Sequence, residues 1–128
     1  MSASKSDLVK YRLARSRETF DDALLLAENN KWNSAINRLY YAAFYAVSAL
    51  IILKNQDSYT HNGVKTVFSA LFIKTGIIDK EHGKIYSQLF TWRQKGDYDD
   101  LFDFDRETVF PYIEKVKALI SEVEKVIG

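Results

Sequence analysis

The segment from Lys31 to Lys54 reads KWNSAINRLYYAAFYAVSALIILK and is the strongest indication of how this chain folds. Its hydrophobic residues fall on almost every side of a helix, which is typical of a helix at the centre of a bundle. The uncharged run within it, Leu39–Leu53, has 15 residues and contains three tyrosines and a serine. This run is too short and too polar to span a bilayer, so we expect a buried helix and no membrane span.

Amphipathic helices are predicted on both sides of this central segment. The first begins at a cap on Ser4 and runs to about Glu28, with hydrophobic residues at spacings of three, four and seven. A third helix begins after Thr60, a good N-terminal cap, and closes at Gly76. We expect Ile77 to pack back on its last turn.

Two further helices complete the pattern. Asp79 is the expected cap of a fourth helix, which Gly96 weakens near its end. A fifth begins between residues 105 and 109, and Thr108 is the better cap because Pro111 is acceptable only in a first turn. Five helices with short links and no strand pattern predict a single all-α domain over residues 1–128, built as an up-and-down helical bundle.

Composition excludes several classes of protein. The chain has 128 residues, enough for one domain, and its 18 basic and 17 acidic residues give a net charge of +1. Bulk charge therefore argues against a protein that coats nucleic acid. Cysteine is absent, which excludes disulfides, thiolate metal sites and a cysteine nucleophile. With no apolar signal segment at the N-terminus, we expect a cytoplasmic protein.

Metal and cofactor chemistry finds little support in the sequence. Helical di-metal sites use Glu-x-x-His motifs, and the nearest match here is Asp79-x-x-His82, where Asp79 is better explained as a cap. No glycine-rich phosphate loop and no nucleophile elbow is present. We therefore predict neither a metal ion nor a cofactor.

The segment TWRQKGDYDD, residues 91–100, is the first candidate site. Arg93 falls at the edge of the predicted apolar face, and arginine can hold a phosphate through two parallel hydrogen bonds. Lys95, Asp97 and Tyr98 follow within about a turn. The alternative is an ordinary helix end, in which basic groups favour the helix dipole and Asp97 pairs with Arg93 four residues earlier.

Two more candidates lie elsewhere. Arg38 stands one turn before the apolar centre of the second helix, where a charge must be paired or exposed at a groove. His61 follows the Thr60 cap and is either a local helix-start residue or a catalytic base. The aromatic residues that follow Arg38 are interpreted as mostly core.

Together, the runs NRLYYAAF at 37–44, Thr60-His61 and RQKGDY at 93–98 resemble the HEPN domain family over about residues 5–127. The resemblance implies a helical bundle, commonly a homodimer. It also implies a small prokaryotic protein acting beside a minimal nucleotidyltransferase in a toxin–antitoxin-like module. Active members of the family are metal-independent ribonucleases.

The family motif is an arginine followed four to six residues later by a histidine. Arg93 matches the arginine, but Tyr98 stands where the histidine would be. In metal-free cleavage, histidine takes the 2′-hydroxyl proton and arginine stabilises the phosphorane. Tyrosine is a poor base at neutral pH, so His61 is the candidate substitute. In some family toxins a tyrosine near the motif accepts a nucleotidyl group from the partner enzyme, and Tyr98 is the corresponding candidate.

Three hypotheses follow. The first is a homodimeric protein that associates with a nucleotide or RNA and with a nucleotidyltransferase partner, and in which Arg93, Lys95, Asp97 and Arg38 surround a phosphate. The second is a metal-independent ribonuclease toxin that uses Arg93 with His61 or Tyr98. The third is a non-catalytic interaction bundle that docks through the acidic stretch at 97–107.

Overall fold

The computed structural model describes residues 4–56, 60–98 and 103–128, with the backbone alone described for residues 97 and 98. Within these ranges the chain forms five α-helices, one π-helical turn and no strand. The elements are α1 (Lys5–Glu28), α2 (Trp32–Leu53), α3 (His61–Phe68), the π-helical turn (Ser69–Ile73), α4 (Lys80–Tyr98) and α5 (Arg106–Ile127). The prediction of an all-α bundle is confirmed.

Helix α2 lies at the centre of the bundle, as its sequence predicts. It contacts α1, α3, α4 and α5. Small residues let α1 approach closely: the hydroxyl of Ser16 donates to the carbonyl of Ala42 over 2.6 Å, and both residues are fully buried. By length and composition α2 could also cross a membrane, but 61% of its most apolar stretch is buried in the bundle. This burial is the behaviour of a core helix.

Three of the predicted helix caps are confirmed. Ser4 Oγ accepts from the Asp7 amide over 3.1 Å, and Thr60 Oγ1 accepts from the Gly63 amide over 2.9 Å. Asp79 Oδ1 accepts from the amide of Glu81 over 2.8 Å, immediately before α4. The side chains that satisfy the first free amides thus set where α1, α3 and α4 begin.

The predicted cap of the fifth helix was wrong. Asp105, not Thr108, caps α5, and its carboxylate accepts from the Thr108 amide over 2.9 Å. A carboxylate is the stronger acceptor at a helix N-terminus, where it also meets the positive end of the dipole. The helix therefore begins at Arg106, and Pro111 lies in its second turn.

The end of the third helix also differs from the prediction. The chain passes into a π-helical turn at Ser69, and Gly76 then adopts a left-handed conformation with φ of 78°. Ile77, expected to pack back, is 45% exposed, whereas Ile78 is 1% exposed. The turn at Gly76 brings the Ile78 amide to the carbonyl of Phe72, 2.8 Å away, so Ile78 enters the core instead.

Candidate functional site

Tyr40, in the middle of α2, is the centre of a cluster of rings that joins three helices. Its side chain is fully buried. Five ring centroids lie between 5.1 and 6.3 Å from that of Tyr40, and they belong to Tyr41, Phe44, His61, Tyr86 and Phe90. We call these six residues the Tyr40 cluster. It brings the first residue of α3 and the middle of α4 against α2.

His61 is held in this cluster by a hydrogen bond and by ring contacts. Its Nδ1 atom lies 2.8 Å from the hydroxyl of Tyr40, and its ring centroid lies 4.7 Å from that of Phe44. Because Thr60 caps the helix immediately before it, His61 starts α3 at a defined position. Its side chain is half-buried, so it borders both the core and the surface.

The hydroxyl of Tyr40 keeps its proton at neutral pH. Burial raises the pKa of Tyr40 to about 12, an effect that the nearby positive charge of Arg93 partly opposes. The phenol can therefore donate to His61 or accept from it, and the imidazole tautomer decides which. Either way, the hydrogen bond restricts rotation of the imidazole ring.

Arg93, in α4, also contacts Tyr40, at the face of its ring. Its guanidinium carbon lies 5.2 Å from the centroid of the Tyr40 ring, within the range of a cation–π contact. Arg93 is half-buried. The structure thus brings two predicted site residues, Arg93 and His61, into contact with a single side chain, Tyr40.

Arg38 is linked to His61 through the ring of Tyr41. Its guanidinium carbon is 5.0 Å from the centroid of Tyr41, and the Tyr41 ring is in turn 5.6 Å from that of His61. The Nε and Nη2 atoms of Arg38 donate to Asn37 Oδ1 over 3.1 and 2.8 Å. The half-buried guanidinium is therefore oriented by its neighbour and lies beside the Tyr40 cluster.

The remaining predicted site residues lie at the end of α4. Lys95 is exposed, and because it is two residues after Arg93 it lies on a different face of the helix. The predictions for Asp97 and Tyr98 concern side chains that lie outside the described part of the chain. Their backbone forms the last residues of α4.

Sequence reasoning missed Tyr40 as the residue that joins the site, and it missed two contacts in which a cation of one helix packs on an aromatic ring of another. Arg15 lies 5.4 Å from the ring centroid of Tyr45, and the amine of Lys65 lies 5.0 Å from that of Phe90. Each ring is on a different helix from its cation, so local spacing carries no signal for these contacts. Among the described residues, no group of three or more potential metal ligands is found.

Known proteins resemble this chain over most of its length. The family model of the HEPN domain matches residues 9–126. A UPF0332 protein of Thermotoga maritima is 42% identical over 123 residues, which cover 96% of this chain and 93% of that protein. The Methanocaldococcus jannaschii protein named "Putative toxin MJ0605" is 28% identical, over 84% of this chain and 85% of its own length. A second from that organism, "Putative toxin MJ0142", is 31% identical, over 79% and 72%.

Proposed function

The chain belongs to the HEPN domain family, and from that membership we propose that it is a toxin-like protein that binds RNA and cleaves it without a metal ion. One observation carries the proposal: Arg93 and His61 both contact Tyr40, one at the ring and the other at the hydroxyl. In metal-free RNA cleavage an imidazole can serve as general base and a cation can stabilise the phosphorane. The names of the two Methanocaldococcus proteins support the toxin-like role.

The reaction is an internal transesterification. The 2′-oxygen attacks the adjacent phosphorus, the bond from phosphorus to the 5′-oxygen breaks, and the products carry a 2′,3′-cyclic phosphate and a 5′-hydroxyl. Nε2 of His61 takes the 2′-proton and later returns it to solvent, while the leaving 5′-oxygen takes a proton from water. The guanidinium of Arg93 donates hydrogen bonds to the phosphorane oxygens, where negative charge develops.

Tyr40 acts as a positioning residue in this scheme. When Nδ1–H of His61 donates to the Tyr40 oxygen, the lone pair of the imidazole is on Nε2, the atom that serves as base. This arrangement gives His61 the role that the family motif assigns to a histidine after the arginine, a position that Tyr98 occupies here.

The test is cleavage of total RNA in the presence of EDTA. We expect the wild-type protein to cleave, and Arg93→Ala and His61→Ala each to reduce the rate by about 100-fold or more. His82→Ala and Arg106→Ala are matched controls, since they remove the other histidine and an arginine of α5. A wild-type protein that leaves RNA intact would refute the nuclease, and equal cleavage by all five proteins would exclude this site.

A second candidate function rests on Tyr98, whose backbone lies at the end of α4, five residues after Arg93. In it the protein acts as a cytoplasmic homodimer, and a minimal nucleotidyltransferase partner transfers a nucleotidyl group to the Tyr98 hydroxyl. Intact-mass measurement of the protein isolated from its native cells tests this. A mass increase of one or more nucleotidyl groups that Tyr98→Phe abolishes is expected, and an unmodified wild-type chain would refute it.

A further inference from the structure

A groove beside the Tyr40 cluster lies between α3, the π-helical turn and α4. Its volume is about 770 Å³. Four lysines line it and no acidic residue does, although the chain as a whole is almost neutral. The lysines are Lys65, Lys74, Lys80 and Lys84. Positive charge is therefore concentrated along one side of the bundle.

The wall formed by α4 is polar along its length. Its lining residues Lys80, Lys84, Ser87, Gln88 and Thr91 follow one another at spacings that place them on one face of the helix. At 1.5 Å per residue this face is roughly 16 Å long. Asp79 and Glu81, which flank Lys80 in the sequence, do not line the groove. The groove therefore combines cations and neutral hydrogen-bonding groups with apolar residues such as Ala70 and Ile73, and no carboxylate lines it.

The groove reaches the Tyr40 cluster through shared residues. Tyr86 lines the groove and its ring centroid is 6.0 Å from that of Tyr40. Lys65 also lines the groove, and its amine lies over Phe90, another member of the cluster. The groove and the Tyr40 cluster therefore adjoin each other.

A close approach of two elements shapes the floor of the groove. At Gly83, an added Cβ would lie 3.1 Å from the side chain of Ile73 in the π-helical turn. The absence of a side chain at Gly83 lets α4 pack directly against that turn. The lining aromatic rings, those of Phe68 and Tyr86, are buried at 1% exposure each and offer no platform on which bases could stack.

We propose that this groove binds the phosphodiester backbone of single-stranded RNA that is cleaved at the adjoining Tyr40 cluster, an inference that rests on the proposed function. Lysine, hydroxyl and amide groups bind phosphate and sugar oxygens without reading the base. Contacts to phosphate and sugar predict binding with little sequence preference. The concave shape suits one strand and not the broad surface of a duplex. The lysines would then supply affinity and orient the strand, while Arg93 and His61 act on one phosphate.

The experiment is fluorescence anisotropy with a fluorescein-labelled oligouridine of about twelve nucleotides, titrated at several salt concentrations. The double variant Lys80→Gln/Lys84→Gln removes two groove cations, and Lys117→Gln/Lys125→Gln removes two exposed lysines of α5 with the same change in net charge. We expect the groove variant to raise Kd about tenfold, and to reduce the slope of log K against log salt by about 1.4, or about 0.7 for each lost phosphate contact. The α5 variant should change Kd less than about twofold.

Three results would overturn the proposal. Equal weakening by both double variants would show that only net charge matters. Unlabelled duplex RNA that competes as well as the single strand would exclude a single-strand groove. Inorganic triphosphate that displaces the oligonucleotide more tightly than unlabelled oligouridine would identify a site for a mononucleotide.

The outcome is separable from that of the nuclease proposal. If RNA binding depends on Lys80 and Lys84 but no RNA is cleaved, the nuclease proposal is refuted and the groove proposal is retained. If cleavage depends on Arg93 and His61 while RNA binding is unchanged by the loss of both lysines, the groove proposal is refuted and the nuclease proposal is retained. Arg93→Ala should abolish cleavage while the lysine-dependent binding persists.

Discussion

The Tyr40 hydroxyl and Nδ1 of His61 lie 2.8 Å apart, and their hydrogen bond links the middle of α2 to the first residue of α3. The tyrosine is fully buried, so its hydroxyl would carry a desolvation cost without a partner. The bond satisfies that hydroxyl and also sets the orientation of the imidazole. Stability and the proposed chemistry therefore depend on the same atom pair.

Tyr40→Phe removes this hydroxyl and keeps the ring. We expect the free energy of unfolding to fall by about 1 kcal/mol, since one buried hydrogen bond is lost while the ring contacts remain. RNA cleavage should fall by about tenfold in kcat with little change in KM, because the imidazole loses the partner that orients it. Urea unfolding and steady-state kinetics measure the two effects.

Tyr86→Phe is the matched control for that substitution. Tyr86 is 1% exposed and belongs to the same cluster, and its hydroxyl interacts electrostatically with that of Tyr40 but makes no hydrogen bond of standard geometry with the described residues. Its removal should change the stability by less than about 0.5 kcal/mol and leave kcat unchanged. If both variants lose kcat equally, loosening of the cluster explains the loss and the Tyr40–His61 bond has no special role.

The buried tyrosines predict unfolding at alkaline pH. The pKa of Tyr40 is about 12 in the folded protein against 10.0 for an ordinary tyrosine, and burial also raises the pKa of Tyr86 well above that value. Between pH 10 and pH 12 the unfolded chain loses protons that the folded chain keeps, so stability falls as pH rises. Below pH 10 both states hold these protons and the stabilisation is complete.

Each such tyrosine should lower the free energy of unfolding by up to about 1.4 kcal/mol per pH unit in this window. Urea unfolding at a series of pH values measures the slope, and phenolate absorbance reports the ionisation. Tyr40→Phe removes one of these ionisable groups, so it should make the fall in the free energy of unfolding shallower by up to about 1.4 kcal/mol per pH unit. A wild-type stability that stays level across the window would contradict the raised pKa values.

The central helix and most helix starts could be predicted because their signals are local. The hydrophobic residues around α2 lie within one segment, and Ser4, Thr60 and Asp79 each act on an amide two or three residues away. The contact of both Arg93 and His61 with Tyr40 could not be predicted. It depends on how α3 and α4 pack against α2, and the sequence assigns Tyr40 simply to the core.

The errors arose where two local signals competed or where the backbone left regular geometry. Asp105 and Thr108 are both good caps, and only the observed amide contact distinguishes them. The π-helical turn after Phe68 changes the path of the chain toward Gly76, so Ile78 is buried and Ile77 is exposed. Neither the cap of α5 nor the burial of Ile78 can be predicted from hydrophobic spacing alone.

Ser16 tests the close contact between α1 and α2. Its hydroxyl donates to the Ala42 carbonyl inside the core, so Ser16→Ala should lower the free energy of unfolding by about 1 kcal/mol. Ser16→Val adds volume beside the alanines of α2 and should cost about 1 to 3 kcal/mol. Urea unfolding ranks the variants. A valine variant as stable as the alanine variant would show that the two helices are not tightly packed there.

Arg38 tests whether the positive surface beside the Tyr40 cluster holds substrate. Its guanidinium packs on Tyr41 and is oriented by Asn37, and the Tyr41 ring in turn contacts His61. Arg38→Ala should therefore raise KM for RNA by about tenfold and leave kcat nearly unchanged, as expected for a group that binds substrate and transition state equally.

Arg38→Lys should restore only part of the lost affinity, because lysine keeps the charge but cannot make two parallel hydrogen bonds to a phosphate. Arg106→Ala is the matched control, since Arg106 also packs on a ring, that of Phe110 in α5, at 4.6 Å. It should leave both constants unchanged. A fall in kcat for Arg38→Ala as large as that for Arg93→Ala would instead place Arg38 at the reacting phosphate, and equal effects of Arg38→Ala and Arg106→Ala would exclude a specific role.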